Sequence, residues 1–466
     1  MSSRMRTRMV LAAVAAAAFA GVTAPVTASV ATAEPRVFDT FYLYDGSAPL
    51  SSYAPGDVLK TRTVPYHVLN IPIPLQAVQV LYRSTDALGR PVANATSILR
   101  PPNARPGKVL SYQSVYDSLN PDDSPSRAIA GNTPIGQWTP SGRNFNLGGT
   151  IASGELAAFG PMLALGYTVV VPDTEGPTAD FAAGPEYGML TLDSLRAARA
   201  VSETGIESDA KIALMGYSGG AIATNWAAIL APDYAPDVND DLIGAAEGGV
   251  LVNPATNLRY ANGSLGWGGV VGMAIVGIAR AYDVDFDPYL NDYGREIMAR
   301  MQDASIANAI AQYPGLTWQQ MVKPEYANPN SVPEFVDVVN KINMGTAPIP
   351  TIPMFIAQAA NGIFNGTLPG GPGTGPGDGV MVTDDAAALA TRYCDAGLAV
   401  QYDQYDTIEH GIGAALWFPG AVQWLIDRFN GTPAPSNCGK FAHGNSLAPQ
   451  TLVAPGSSAP ATPAGS

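Results

Sequence analysis

The sequence predicts an α/β fold, with a mostly parallel sheet flanked by helices on both faces and an antiparallel start. Three observations predict it. Short apolar runs recur along the chain, bounded by charge, glycine or proline, as buried strands are. Stretches of helical character separate them, and that alternation marks parallel strands joined by crossovers. One apolar run, Lys211 to Met215, leads directly into Gly216-Tyr217-Ser218-Gly219-Gly220, and Ala221 to Ala228 leads out of it as a run of helix-compatible residues.

Residues 1–33 read as a secretory signal. Arg4, Arg6 and Arg8 give a positive start, Val10 to Gly21 is an apolar, Ala-rich core, and Ala31-Thr32-Ala33 offers a small-x-small cleavage site. The core is short for a membrane span, with an uncleaved anchor as the alternative. Residues 34–75 are rich in Pro and Tyr and read as irregular surface wrapping. Ala77 to Ser84 and Pro91 to Leu99 read as strands joined through Asp86-Ala87-Leu88-Gly89, a hairpin. Lys108 to Gln113 and Thr168 to Val171 are further strands, and Leu190 to Val201 is a helix. Ala245 to Leu251, Ile352 to Gln358 and Ala399 to Tyr405 read as later strands, and Ala421 to Phe429 as a closing amphipathic helix.

The block between the strands near Leu251 and Ile352 breaks the alternation. Gly263 to Ala281 is Gly-rich and apolar, while Asp287 to Ala311 and Val332 to Ile342 are helix-like. The expected organisation is therefore a core over 34–254, a helical cap inserted at 255–348, and the rest of the core over 349–440. Gly370 to Gly379 is a Gly/Pro/Thr loop, and residues 441–466 have the Ala/Pro/Ser composition of a disordered tail.

The chain carries a formal charge of −14, and losing the leader with its three arginines makes it −17. That excludes nucleic acid as a partner and disfavours anionic headgroups. In an exported chain the only two cysteines, Cys394 and Cys438, most simply form one disulfide. With two cysteines and three histidines, His67, His410 and His443, there is little from which to build a metal centre. Asp283-Val284-Asp285-Phe286-Asp287 alternates acids but lacks the glycine and closing glutamate of a calcium loop.

Gly-x-Ser-x-Gly between a strand and a helix is the pattern of a nucleophile elbow, the turn that exposes a serine in the α/β-hydrolase fold. The serine sits at a strained backbone angle with its neighbours nearly touching, so side chains two residues either side would clash. The helix behind it aims its amides and positive dipole end at developing negative charge. A serine hydroxyl needs a base and the base an orienting acid, which follow in the order serine, acid, histidine. His410 and His443 are the histidines after Ser218. His443 lies in the low-complexity tail, whereas His410 follows the strand ending at Tyr405, which makes it the expected base. The disulfide brackets it. The acid is expected after the strand ending at Gln358. Asp378 is preferred over Asp384 and Asp385, which read as first-turn helix acids, and over Asp395.

These segments together resemble the secretory lipase family of fungi and actinobacteria. The matching stretches are Ser111-Tyr112-Gln113-Ser114-Val115-Tyr116-Asp117, Val171-Pro172-Asp173-Thr174-Glu175-Gly176-Pro177, Gly188 to Ser194, the elbow, Asp378 to Met381, Glu409-His410 and the paired cysteines. The resemblance spans roughly residues 40–440. It implies an α/β-hydrolase with a triad of Ser218, Asp378 and His410. It also implies an oxyanion hole from the Gly219 amide with a contribution from Asp117, whose carboxyl must be protonated or turned away. One departure stands out: Gln358 to Gly362 and a long Gly/Pro stretch separate the acid-bearing strand from Asp378, where the family keeps the two close.

The expected activity is two-step acyl transfer by a secreted lipase or carboxylesterase, with no cofactor and no metal. The expected partners are a lipid or ester substrate and a transient lipid–water contact through the cap. No sequence feature specifies an oligomeric state. An acyltransferase or hydrolase of other cell-envelope esters or amides, with envelope association, is the alternative on the same triad. A non-catalytic binding module is the third reading.

Overall fold

The computed structural model describes residues 39–371 and 373–458. The expected leader, residues 1–33, lies outside the described residues.

A nine-stranded sheet organises the chain, in the order β1-β2-β3-β5-β4-β6-β7-β8-β9. Its strands are β1 (Val58–Val68), β2 (Ile71–Thr85), β3 (Pro91–Leu99), β4 (Lys108–Gln113), β5 (Thr168–Pro172), β6 (Lys211–Tyr217), β7 (Leu242–Gly248), β8 (Met354–Ala359) and β9 (Val400–Tyr405). The first three run antiparallel, and β3 meets β5 antiparallel. From β5 through β4, β6, β7 and β8 to β9 every pairing is parallel. The parallel strands are apolar because both faces are covered: β5 and β8 are buried throughout, and β6 is buried after Lys211.

The longer helices are α1 (Leu156–Ala164), α2 (Gly184–Ala200), α3 (Gly219–Tyr234), α4 (Pro254–Ala261), α5 (Gly268–Ala281), α6 (Asp292–Met301), α7 (Pro333–Lys341), α8 (Thr383–Asp395) and α9 (His410–Phe429). One apolar cluster gathers α2, α3 and α8 with residues of α4 to α7 on one sheet face. The other face packs α1 and α9, where Trp417 and Leu425 are fully buried beside Phe159 and Met162.

Three expectations are corrected. Residues 34–75 are not uniformly irregular: β1 and the start of β2 occupy 58–68 and 71–75. β1 is an edge strand whose burial alternates, so its signal is weak, and Pro65 stands at a shift in its register. Second, Asp287 to Ala311 is not one helix; α6 covers 292–301 and a single turn covers Ile306–Ala309. Third, the segment from 441, whose composition suggests disorder, is described to 458 and runs as an extended strap. Asn445 donates to the Asp385 carboxylate on α8 at 2.8 Å, the Asn340 amide donates to the Gln450 carbonyl at 3.0 Å, and Val453 N donates to the Asn330 carbonyl at 3.0 Å. A Pro-rich segment lacks helix or strand signals, yet its backbone still finds partners in side-chain amides of its neighbours.

Cys394, at the end of α8, is bonded to Cys438 beyond α9, closing a span of 44 residues that contains His410. In the chain-entropy account such a loop stabilises by about 4 kcal/mol. Cys394→Ser combined with Cys438→Ser should therefore lower the unfolding free energy by up to about 4 kcal/mol in denaturant titration. An unchanged midpoint would show that the bond constrains nothing the fold does not already hold.

Candidate active site

Ser218 stands between β6 and α3, with φ 54° and ψ −120°. It is one of a few non-glycine residues at positive φ, and neighbours hold it there. Its amide donates to the Gly248 carbonyl at 2.9 Å. A Cβ on Gly216 would collide with the Gly220 carbonyl, and one on Gly220 with the Gln113 carbonyl. The expected steric reason for both glycines is therefore present. The Gly219 amide opens α3, where amides have no intrahelical acceptor, and Gly219 lines the cavity.

His410 begins α9 rather than standing in a loop, and Glu409 caps that helix through the Gly411 and Ile412 amides. Its Nε2 lies 2.8 Å from Ser218 Oγ, and its Nδ1 lies 2.7 Å from Asp378 Oδ2. A carboxylate only accepts, so Nδ1 carries the proton and Nε2 is free to receive the serine's. The ring packs between Tyr217 and Trp267, at centroid distances of 5.1 and 5.3 Å. The Tyr217 hydroxyl donates to the His410 carbonyl at 2.7 Å.

Asp378 lies on the loop after β8 and is fully buried. Its Oδ1 accepts from the Val380 and Met381 amides at 3.1 and 2.7 Å, and its Oδ2 also accepts from Gln358 Nε2 at 2.7 Å. Of the alternatives, Asp384 and Asp385 occupy the first turn of α8, as expected, and Asp395 ends that helix. His443 lies in the strap and His67 on β1, where its Nδ1 meets the Ile129 carbonyl at 3.0 Å.

Burial pulls the His410 imidazole down, but the Asp378 carboxylate more than offsets this through charge and hydrogen bond, with Glu409 and Asp117 adding to it. The net direction is upward from the ordinary 6.5. Asp117 behaves oppositely to an exposed acid. Burial pushes it up to about 8, against the pull of a charged His410 and with the help of Glu155. Burial thus favours its neutral form, and the carboxyl sits where a Cβ on Gly219 would be, beside the first amide of α3. Asp117 itself is at φ 33°, and its carbonyl accepts from the Ile306 amide of the insertion at 2.8 Å. Burial also raises Glu175, and Asp117 raises it further. Glu175 holds the next residue of the turn, accepting from Ser118 N at 3.3 and 3.1 Å. Burial raises Glu155 to about 7; it takes the Val115 amide at 2.6 Å.

A cavity opens from Ser218, Gly219 and Asp117. Beyond those three its wall is almost wholly apolar and comes largely from α4, α5 and α7, with Leu258, Trp267, Val270, Ile275, Phe335 and Val339 contributing. The arrangement can supply a nucleophile, a base, an orienting acid, two oxyanion donors and an apolar pocket for a hydrocarbon chain. Sequence reasoning missed Gln358, Tyr217 and Trp267. Tyr217 is the variable residue of the elbow, and Gln358 was visible as a lone polar residue at the end of an apolar strand.

A family model described as Secretory lipase matches residues 145–437. The chain belongs to the secretory lipase family. Lipase A of Arthroderma benhamiae is 32% identical over 407 residues, spanning 82% of this chain and 78% of that protein. Lipase 1 of Candida albicans is 31% identical over 437 residues, spanning 88% and 84%. Among solved structures, Candida antarctica lipase A in its closed state matches with a TM-score of 0.71 at 25% identity, covering 89% of this chain and 91% of that one. The rice cell wall degrading esterase LipA of Xanthomonas oryzae shares the fold, with a TM-score of 0.56 at 14% identity over 81% and 98%. This secretory lipase is thus a hydrolase of carboxylic esters on an α/β-hydrolase fold. Its family is a secretory one, in keeping with an extracellular enzyme. Among the described residues no helix is long and apolar enough to cross a membrane.

Because Asp117 and Glu155 titrate higher folded than unfolded, they contribute stability present at low pH and lost as pH rises through their folded values, about 8 and 7. The Tm should therefore be higher at pH 5 than at pH 9. Glu155→Gln should flatten part of that slope; an equal slope in the variant would mean that Glu155 is ionised throughout.

Proposed function

We propose that this lipase cleaves carboxylic esters through an acyl-enzyme on Ser218. His410 takes the serine proton as Oγ attacks the ester carbonyl, and Asp378 orients and stabilises the resulting imidazolium. The Gly219 amide and the neutral Asp117 carboxyl donate to the oxyanion. His410 then returns its proton to the departing alcohol and activates water against the acyl-enzyme. Residues 255–348 act as a cap that receives the acyl chain, and substrate is met at a lipid–water interface.

The observation that carries this reading is the continuous relay of 2.8 Å from Ser218 to His410 and 2.7 Å from His410 to Asp378. The apolar wall of the cavity supports an acyl chain longer than acetyl as the bound half of the substrate. Acylglycerols and related esters fit that description. Water reaches a serine that is only partly covered, so hydrolysis is the expected fate of the acyl-enzyme.

Hydrolysis of p-nitrophenyl esters, from acetyl to palmitoyl, tests the proposal. The enzyme should turn over medium and long chains, and Ser218→Ala should lose activity by a factor on the order of a million. Residual turnover near wild type in Ser218→Ala would move the nucleophile elsewhere. The pH profile of kcat/KM is a second check. Neutral His410 is the active form and its pKa is raised, so activity should rise with pH through a midpoint above 6.5. Asp117→Asn should keep most of the activity, since an amide can still donate, while Asp117→Leu should lose it by about 100- to 1000-fold.

A further inference from the structure

The two rings that pack on the His410 imidazole differ in how they are held. Tyr217 is fixed: its hydroxyl donates to the His410 carbonyl at 2.7 Å, and its ring packs on the buried Trp417 at a centroid distance of 5.4 Å. Trp267 meets the imidazole edge to face, at 5.3 Å and 78°. Its backbone is fixed too. The Trp267 amide donates to Ser264 Oγ at 3.0 Å, Ser264 Oγ lies 2.6 Å from Thr367 Oγ1, and Thr367 donates to the Gly379 carbonyl at 2.7 Å. The stem of the side chain is thus tied to the residue that follows Asp378. The indole is not tied. Its Nε1 is buried beside Gly379, yet it has no hydrogen-bond partner among the described residues. A buried indole N–H is ordinarily paired. This ring gives up the bond that would have pinned it and rests on packing alone.

Part of that packing belongs to the cavity. Of the aromatic residues that line it, Phe181, Trp267 and Phe335, Trp267 is the one in ring contact with His410. The base needs lateral support. Its bond to Asp378 fixes the Nδ1 end of the imidazole and leaves the ring free to tilt about that bond, which carries Nε2 off the line to Ser218 Oγ. Packing on either ring opposes the tilt, and on Trp267 it depends on how firmly the indole is seated. A hydrocarbon chain in the cavity adds contacts to the indole, each small but summed over the atoms in reach.

We propose that Trp267 is a positioning residue that couples the acyl chain to the base: a chain in the cavity seats the indole against His410, and the seated indole holds the imidazole in line with Ser218. This rests on the acyl-enzyme reading above and adds a link from the pocket to the triad. The link acts in both half-reactions, because the acyl chain stays in the cavity while His410 activates water. An acetyl group is too short to use it, so the rate of the chemical steps rises with chain length and not only the affinity.

Steady-state kcat and KM for p-nitrophenyl acetate, butyrate and octanoate, each kept monomeric in solution, test it in wild type, Trp267→Phe and Trp267→Leu. In wild type kcat should rise about tenfold from acetyl to octanoyl, the size of effect that one aromatic contact can carry. Trp267→Leu keeps an apolar wall without a ring, and its octanoyl-to-acetyl ratio of kcat should fall by about tenfold. Trp267→Phe keeps a ring beside His410 and should hold that ratio within about threefold of wild type. A role as wall alone would appear in KM, with the kcat ratio of Trp267→Leu unchanged, and that result would overturn the proposal. So would a Trp267→Phe ratio as low as that of Trp267→Leu. Should Trp267→Leu not fold, the wild type still decides: a kcat that is flat from acetyl to octanoyl would overturn the coupling and leave the ester-hydrolase reading standing. Wild type hydrolysing none of the three esters would overturn that reading, and the coupling with it.

Discussion

The Asp378 carboxylate is buried to the last atom, and the arrangement of the site follows from how that charge is held. An ionised carboxylate away from water is costly unless its lone pairs are used. Here two backbone amides hold one oxygen, and Gln358 and His410 share the other. The three neutral donors do not diminish the charge; they fix where it sits. His410 is then the one partner that can become cationic, so the carboxylate's unspent attraction is directed at the imidazole. This raises the imidazole despite its burial and sets its tautomer. The cradle is built by β8 through Gln358 and by the turn into α8 through Val380 and Met381, so a break in either element would reach Ser218 through His410.

On the other side of Ser218 the same burial works through neutral groups. Asp117, Glu155 and Glu175 are all pushed upward, and Asp117 and Glu155 reach about 8 and 7. One wall of the site therefore holds a carboxylate paired with His410, while on the other burial pushes three carboxyls toward their neutral form, Glu155 adding to the shift of Asp117 and Asp117 to that of Glu175. The contrast matters for an oxyanion, which a charged Asp117 would repel and a neutral one can hold. The insertion takes part in this: Ile306 N fixes the Asp117 carbonyl, and the Arg280 guanidinium is satisfied by the Leu119, Ala179 and Gln302 carbonyls, among others. The turn that carries Asp117 is thus locked between the sheet and the helices above it.

Much of this was legible before any coordinates. The elbow announced itself because its glycines answer a local steric demand, and the parallel strands because burial on both faces leaves an unbroken apolar run. His410 followed from scarcity, since so few histidines come after Ser218. The elements that escaped are those whose signal is non-local. β1 is an edge strand with a proline and an alternating polar face, so its pairing with β2 is what makes it a strand. The strap from 441 has no periodicity because side-chain amides on other elements, Asn340 and Asn343 among them, supply its partners. Gln358 looked like a departure from the family pattern and is instead a direct ligand of the acid. Of the raised carboxyls, Asp117 was foreshadowed by the demand of an oxyanion hole, whereas Glu155 and Glu175 could not be read, since a pKa depends on neighbours that sequence does not bring together.

The strap has a consequence for the order in which the molecule is made. It fastens α7 to the core through Gln450 and Asn340, which are 110 residues apart in the chain. A growing polypeptide leaves the ribosome with α7, and the apolar pocket wall it carries, long before the segment that clamps it exists. The hydrogen bond between α7 and the strap can therefore form only after residue 450 has been made, and until then α7 packs on the sheet without it.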